Sequence, residues 1–209
     1  HRAFISKGIL SPASLIDAIL THEETVRLYD PVTQDEVGWT LRAIREQERA
    51  VLARAEAMAA FQDHEVGTQF IRGIAREMTL DDEQVEAMRH VLDVGGLKLL
   101  EGRAGTGKSH TLSAIRQAAE RDGYEVIGLA PTNAVAQDLR DGGFARATTV
   151  HSLLWYRTHA PDHANAQVSE KSIIIVDEAA MLDTVRIDAL TQLATDTGGK
   201  LVLVGDDRQ

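Results

Sequence analysis

The sequence predicts an α/β protein: a parallel sheet flanked by helices over residues 79–209, preceded by a smaller, mainly helical unit over residues 1–78. Three observations carry this. From about Leu80 onward, short apolar runs alternate with segments of helical periodicity. Two of those runs, SIIIV and KLVLV, are nearly continuous in Val, Ile and Leu, the mark of strands buried on both faces. A glycine-rich loop joins a third run, LKLLE, to a helix.

Taken in order, residues 11–20 form a short amphipathic segment. VRLYD (26–30) and VGWT (37–40) read as short strands. Thr40 stands where a helix N-cap belongs. After it Leu41, Ile44, Val51, Leu52, Ala55, Met58 and Ala59 recur at helical spacing, which predicts a helix to about Phe61 with Glu48 at the edge of its stripe. A shorter helix follows near 69–78. DDEQVEAMRHVLD reads as a helix ended by Gly95 and Gly96, LKLLE as a strand, and KSHTLSAIRQAAERD as a helix stopped by Gly123. EVIGLA, SIIIVDE and KLVLVGD are further strands. The polar loop RTHAPDHANAQVSE (157–170) is expected to be mobile.

Composition narrows the function. The 209 residues are 44% hydrophobic and contain no cysteine, so disulfides and thiolate metal sites are excluded and a cytoplasmic setting is expected. No run is long enough for a membrane span, and the first ten residues lack the features of a signal peptide. A net charge of -10 counts against broad, non-specific duplex binding but leaves room for a narrow strand-binding groove.

Residues 102–109 read GRAGTGKS, a full match to G-x-x-x-x-G-K-[ST] between a strand and a helix. The residue types follow from the chemistry. Gly102, Arg103, Ala104, Gly105, Thr106 and Gly107 form a loop whose backbone N–H groups can face a phosphate. The helix beginning with Lys108, Ser109 and His110 adds its N-terminal partial charge. Lys108 can reach the β- and γ-phosphates of ATP, and the Ser109 hydroxyl can bind Mg²⁺. Downstream, SIIIVDEAAM ends an apolar strand in Asp177 and Glu178. An aspartate there suits Mg²⁺, and an adjacent glutamate suits activation of an attacking water.

With these segments in hand, the chain resembles a superfamily 1 helicase of the RecD-like kind, in its first RecA-like ATPase lobe. GRAGTGKS resembles motif I and VDEAAM motif II. LDDEQVEAM (80–88) resembles the Q-motif, which implies that Gln84 reads the adenine edge. LAPTNAVA (129–136) resembles motif Ia, which implies that Pro131, Thr132 and Asn133 line a DNA-binding face. TTVHSLL (148–154) resembles the Thr-x-His segment, adding Thr149 and His151. VGDDRQ (204–209) resembles motif III, with Gln209 sensing the γ-phosphate. Within this group the chain looks most like the helicase region of TraA-type conjugative relaxases, with RecD-like repair helicases as the alternative. The resemblance implies a RecA-like P-loop NTPase sheet, a mainly helical N-terminal domain with a winged-helix-like form as one option, ATP and Mg²⁺ as cofactors, 5′-to-3′ movement on single-stranded DNA, and conjugation machinery as a further partner. Motifs IV to VI, their arginine finger and a relaxase nicking domain are not among these residues. The chain by itself is therefore expected to bind nucleotide with little turnover, the second RecA-like lobe being its partner in the full-length protein.

Other constellations point less sharply. His159 and His163, with Asp162 between them, lie in a polar loop without helical i, i+4 geometry, and read as surface histidines rather than metal ligands. Trp155 and Tyr156 suit either packing against the neighbouring loop or stacking on unpaired bases. A P-loop enzyme acting on a small molecule and a nucleotide-gated binding module without turnover are the readings from other classes. The Asp177–Glu178 pair argues against both.

Overall fold

The computed structural model describes residues 12–102 and 107–205, and its contacts divide the chain into two compact units, residues 1–50 and 51–209. In the first, helix α1 (Pro12–Leu20) precedes an antiparallel hairpin of β1 (Thr25–Tyr29) and β2 (Glu36–Leu41). Asp30 closes the turn, its Oδ1 accepting from the backbone N–H groups of Val32 and Thr33, both at 2.8 Å. Thr40 does not cap a helix. It pairs with Val26 inside the hairpin, and helix α2 (Arg42–Ala59) starts two residues later. The β-branched Thr40 and the aromatic Trp39 beside it favour the pleated backbone over a cap. The stripe along α2 is largely solvent-facing: Ile44 and Leu52 are exposed, and Met58 alone is buried.

The larger unit holds α3 (Thr68–Glu77), α4 (Asp82–Leu92), β3 (Leu97–Glu101), α5 (Lys108–Arg121), β4 (Glu125–Ala130) and α6 (Asn133–Asp141). These are followed by β5 (Arg146–Thr149), α7 (Val150–His159), β6 (Ser172–Val176), α8 (Thr184–Thr197) and β7 (Lys200–Gly205). Among the described residues its five strands are all parallel, in the order β3-β7-β6-β4-β5. Strand alternation sorts their side chains into two cores. Ile173, Ile175, Val202, Val204 and Val126 face α3, α4, α5 and α6, while Ile174, Val176, Leu201, Ile127 and Leu129 face α7, α8 and Met58. The result is a three-layer α/β sandwich, the RecA-like P-loop NTPase fold.

Parallel order places every strand's carboxyl end on one rim. Gly102, Pro131, Thr149, Asp177 and Gly205 all lie there, at or just after the ends of β3, β4, β5, β6 and β7. Ligands in open α/β sheets gather on that rim, where the order of the strands reverses. The chain supplies the reversal: from β4 it moves outward to β5, then returns across to β6 and β7.

The opposite rim carries a feature the apolar reading of KLVLVGD does not anticipate. Lys200 opens β7 and is fully buried. Its ammonium donates to the carbonyl oxygens of Asp93 at 2.5 Å and His64 at 3.4 Å. Burial, with Lys98 nearby, pushes its pKa down to about 7. Among the described residues no helix is long and apolar enough to cross a membrane.

Candidate functional site

The site is assembled by helix starts and strand ends. Gly107 is the N-cap of α5 and adopts a left-handed backbone, φ +76°. A Cβ there would lie 2.6 Å from Gln84 Nε2, so glycine serves both the dihedral and the close approach of α4. Gln84 belongs to a capping box. Its backbone N–H donates to Asp81 Oδ1 at 2.8 Å, and its Oε1 accepts from the Asp81 N–H at 3.2 Å. Gln84 thus arrives at the site with its side chain already held. Asp81, Glu83, Gln84, Ala87, Leu100, Glu101, Gly102, Lys108 and Thr111 line a cavity of about 480 Å³. Asp81 and Thr111 were not singled out in the sequence, although D-D-E-Q is a visible capping box and would have pointed to Asp81.

Lys108 stands in the first turn of α5, its ammonium reaching two carboxylates 69 and 70 residues on: Asp177 Oδ1 at 2.9 Å and Glu178 Oε1 at 2.7 Å. Partial burial works against its charge, but the hydrogen bonds it donates to Glu178 and Asp177, together with their negative charges, outweigh it, and the lysine's pKa is raised. Asp177 is itself buried and fixed from behind, its N–H donating to the Leu129 carbonyl at the end of β4. Its Oδ1 also accepts from the Glu178 N–H at 2.9 Å. Glu178 has a left-handed backbone, φ +53° and ψ +40°. For a residue with a Cβ that conformation costs on the order of 1–2 kcal/mol, and such strain gathers where a side chain must be aimed.

The Ser109 hydroxyl sits beside Lys108, exposed on the first turn of α5. With Asp177 it offers hard oxygen donors of the kind that magnesium takes. His110 turns elsewhere: a ring nitrogen pairs with the Met78 carbonyl at 3.0 Å, which ties α5 to the end of α3. Arg103, Ala104, Gly105, Thr106 and Gln209 lie outside the described residues.

Further along the rim, Thr132 caps α6, accepting from the Val135 N–H at 3.4 Å, with Pro131 before it and Asn133 exposed after it. Thr149 caps α7, accepting from the Ser152 N–H at 3.1 Å, and His151 is exposed on that helix's first turn. His159 and His163 do not meet. His159 stacks on Trp155 at 4.9 Å and His163 on Tyr156 at 4.3 Å. Among the described residues no group of three or more His, Asp or Glu is disposed to hold a metal ion.

Comparison with known proteins bears on this arrangement. The model of the AAA domain family matches residues 79–209. A probable conjugal transfer protein TraA of Sinorhizobium fredii is 30% identical over all of this chain and 19% of its own length. A conjugal transfer protein TraA of Rhizobium radiobacter is 31% identical over 93% of this chain and 18% of its own. An ATP-dependent RecD2 DNA helicase of Deinococcus radiodurans is 32% identical over 77% of this chain and 22% of its own. The chain spans about a fifth of the length of these curated relatives. One shared module similar both to transfer proteins and to a helicase matches the RecD-like and TraA-type resemblance of the motifs, and the chain belongs to the AAA domain family.

Proposed function

We propose that this chain is the ATP-binding lobe of a motor that moves along single-stranded DNA, in a conjugative relaxase-helicase of the TraA type. The observation that carries the proposal is the convergence of Asp177 and Glu178 on the Lys108 ammonium, each carboxylate within 3 Å of it, beside a cavity edged by Gln84 and Gly102. A lysine at the head of a helix and two acids at a strand end are the groups that hold a nucleotide's phosphates and cleave the last of them. In this reading the purine lies against Gln84, and the phosphates follow residues 102–109 to the start of α5. Lys108 transfers its ammonium from the two carboxylates to phosphate oxygens. Ser109 and Asp177 would hold Mg²⁺, which supplies charge neutralisation on the phosphates. Glu178, released from Lys108, accepts the proton of the attacking water. Gln209 reports the γ-phosphate to the DNA face, for which Pro131, Thr132, Asn133, Thr149 and His151 are the candidates. An arginine from a second RecA-like lobe of the full-length protein would complete the site, so the chain alone binds ATP or ADP and turns it over slowly. Translocation is 5′-to-3′ in this reading, and conjugation machinery is a further partner. Similarity to the RecD2 helicase favours a repair helicase as the second reading.

The test is a titration with a fluorescent ATP analogue and Mg²⁺, for the wild type and Lys108→Ala, with and without single-stranded DNA. Loss of a charge-assisted hydrogen bond predicts weakening of roughly 10- to 150-fold in Lys108→Ala. Equal affinities for the two proteins would overturn the assignment of the phosphate loop. Turnover by the chain alone at the rate of an intact motor would overturn the requirement for a second lobe.

A further inference from the structure

Helix α7 presents two different faces. Val150 and Leu153 are buried in the core beneath the sheet, with Leu154 packed against it. His151, Trp155 and His159, spaced four apart, form a stripe on one side of the helix. Trp155 is 45% exposed and belongs to neither core. The fold nevertheless holds it in place. Its indole stacks on the His159 ring at 4.9 Å and 15°, while a nitrogen of that ring pairs with the Trp155 carbonyl at 3.0 Å. On the other flank Tyr156 meets the indole edge-on at 5.2 Å and stacks on His163 at 4.3 Å and 17°. His163 in turn caps the 3₁₀ turn Ala164–Ala166, and Arg157 donates to the Ala166 carbonyl at 3.3 Å. The two aromatic residues therefore divide their work. Tyr156 fastens the 160–167 loop to the helix. Trp155 does nothing for the core and stands as a fixed, planar, water-facing ring.

Charge separates α7 from its neighbours as well. The chain carries a net charge of -10, yet VHSLLWYRTH contains no Asp or Glu. Among the described residues every other α-helix contains at least one. A polyanion lying along α7 would meet Arg157 and histidines but no carboxylate of that helix. The helix also starts at Thr149, on the rim where the candidate DNA residues stand.

We infer that the Trp155–His159 ladder is a stacking platform for an unpaired base of single-stranded nucleic acid, extending the candidate DNA face from Thr149 along α7. This rests on the proposed DNA-binding reading and adds to it a residue and a mode of contact. An aromatic face accepts any base, so the contact selects for strand unpairing and not for sequence.

The sequence contains only two tryptophans, Trp39 and Trp155, so a Trp39→Phe background leaves Trp155 as the sole indole reporter. The 209-residue chain is titrated with fluorescein-labelled oligothymidylate, with an abasic oligomer of equal length and with a duplex. Anisotropy reports total binding, and indole emission reports contact at Trp155. The expected result is quenching by oligothymidylate alone, with the midpoint of the anisotropy change. Stacking energies predict that the abasic oligomer binds roughly 5- to 150-fold more weakly, and that Trp155→Ala weakens oligothymidylate by a similar factor while Trp155→Phe retains most of the affinity. Oligothymidylate binding that leaves the indole emission unchanged and survives Trp155→Ala would overturn the platform and leave the DNA reading standing, the exposed indole then belonging to a protein contact. Absence of binding by any oligomer would overturn both. The comparison of thymidylate with abasic oligomer needs no variant at Trp155, so it stands even if that substitution disturbs the fold.

Discussion

Replacing Lys200 by Met should reverse in its effect on stability between alkaline and neutral pH. In the folded chain the lysine's pKa is lowered from 10.5 to about 7 because its ammonium is buried. The folded state thus binds fewer protons than the unfolded one between those values, and stability rises with pH across that window. The wild type keeps its full stability above about 10.5, loses it progressively as pH falls towards 7, and changes no further below that. At about 1.4 kcal/mol for each tenfold change in proton affinity, the step from pH 10 to pH 7 amounts to at most about 4 kcal/mol. Relaxation of the surroundings and entry of water cut this, and an observed 2–4 kcal/mol is the expectation. Methionine has similar length and no proton to lose. At pH 10 it leaves the carbonyls of Asp93 and His64 without their donor, a loss of about 1–3 kcal/mol. At pH 7 it also removes the charge penalty, so the variant should equal or exceed the wild type. The assay is urea unfolding followed by circular dichroism at half-unit pH steps for both proteins. Only the difference between them is read, because other groups titrate in common. A difference that stays constant from pH 7 to pH 10 would refute the reasoning, since it would mean that the lysine keeps its ordinary affinity for protons.

Three further outcomes follow from the geometry. Under the proposed function, Glu178→Gln in the intact protein should lower ATP hydrolysis by about 10²–10⁴-fold, as loss of a general base does, and a phosphate-release assay reads this. Gly107→Ala should cost on the order of 1–2 kcal/mol because φ is +76° there; if the cause were only the contact with Gln84 Nε2, Gln84→Ala would rescue it, and denaturation of the double variant separates the two. Met58→Ala should cost about 2–5 kcal/mol at a buried site, whereas Leu52→Ala on the same helix, 64% exposed, should stay within about 0.5 kcal/mol.

Much of the larger unit was legible because its strands announce themselves. β3, β4, β6 and β7 are apolar runs bounded by helices or glycines, and each lies within a residue or two of its expected span. β5 was not legible. RATT has no apolar run, and as the edge strand beyond β4 it needs none. Helix α8 is hidden by its composition: TVRIDALTQLATDT is rich in threonine, and it forms because Asp183 caps it and Leu190, Leu193 and Ala194 are buried. The stripe on α2 forms the expected helix but is largely exposed, since periodicity reports that a helix can be amphipathic but not what covers its apolar side. At the site, the residue types and their order could be read, but not their distances. Lys108 meets Glu178, 70 positions further along the chain, only because β6 lies two strands from β3. The left-handed backbone at Glu178 leaves no sequence trace at all, because a glutamate gives no hint of positive φ.

The central strand has a last consequence, for rigidity. β6 is bonded on both sides, to β4 and to β7, and each of its five residues is buried. Its amides should be among the slowest in the molecule to exchange with solvent deuterium, opening only with the whole sheet. Asp177 and Glu178 stand at the tip of that strand, so the acidic half of the site is mounted on the stiffest beam available. In the proposed reading, the two carboxylates are the fixed mark against which movement at the start of α5 on nucleotide binding would be measured.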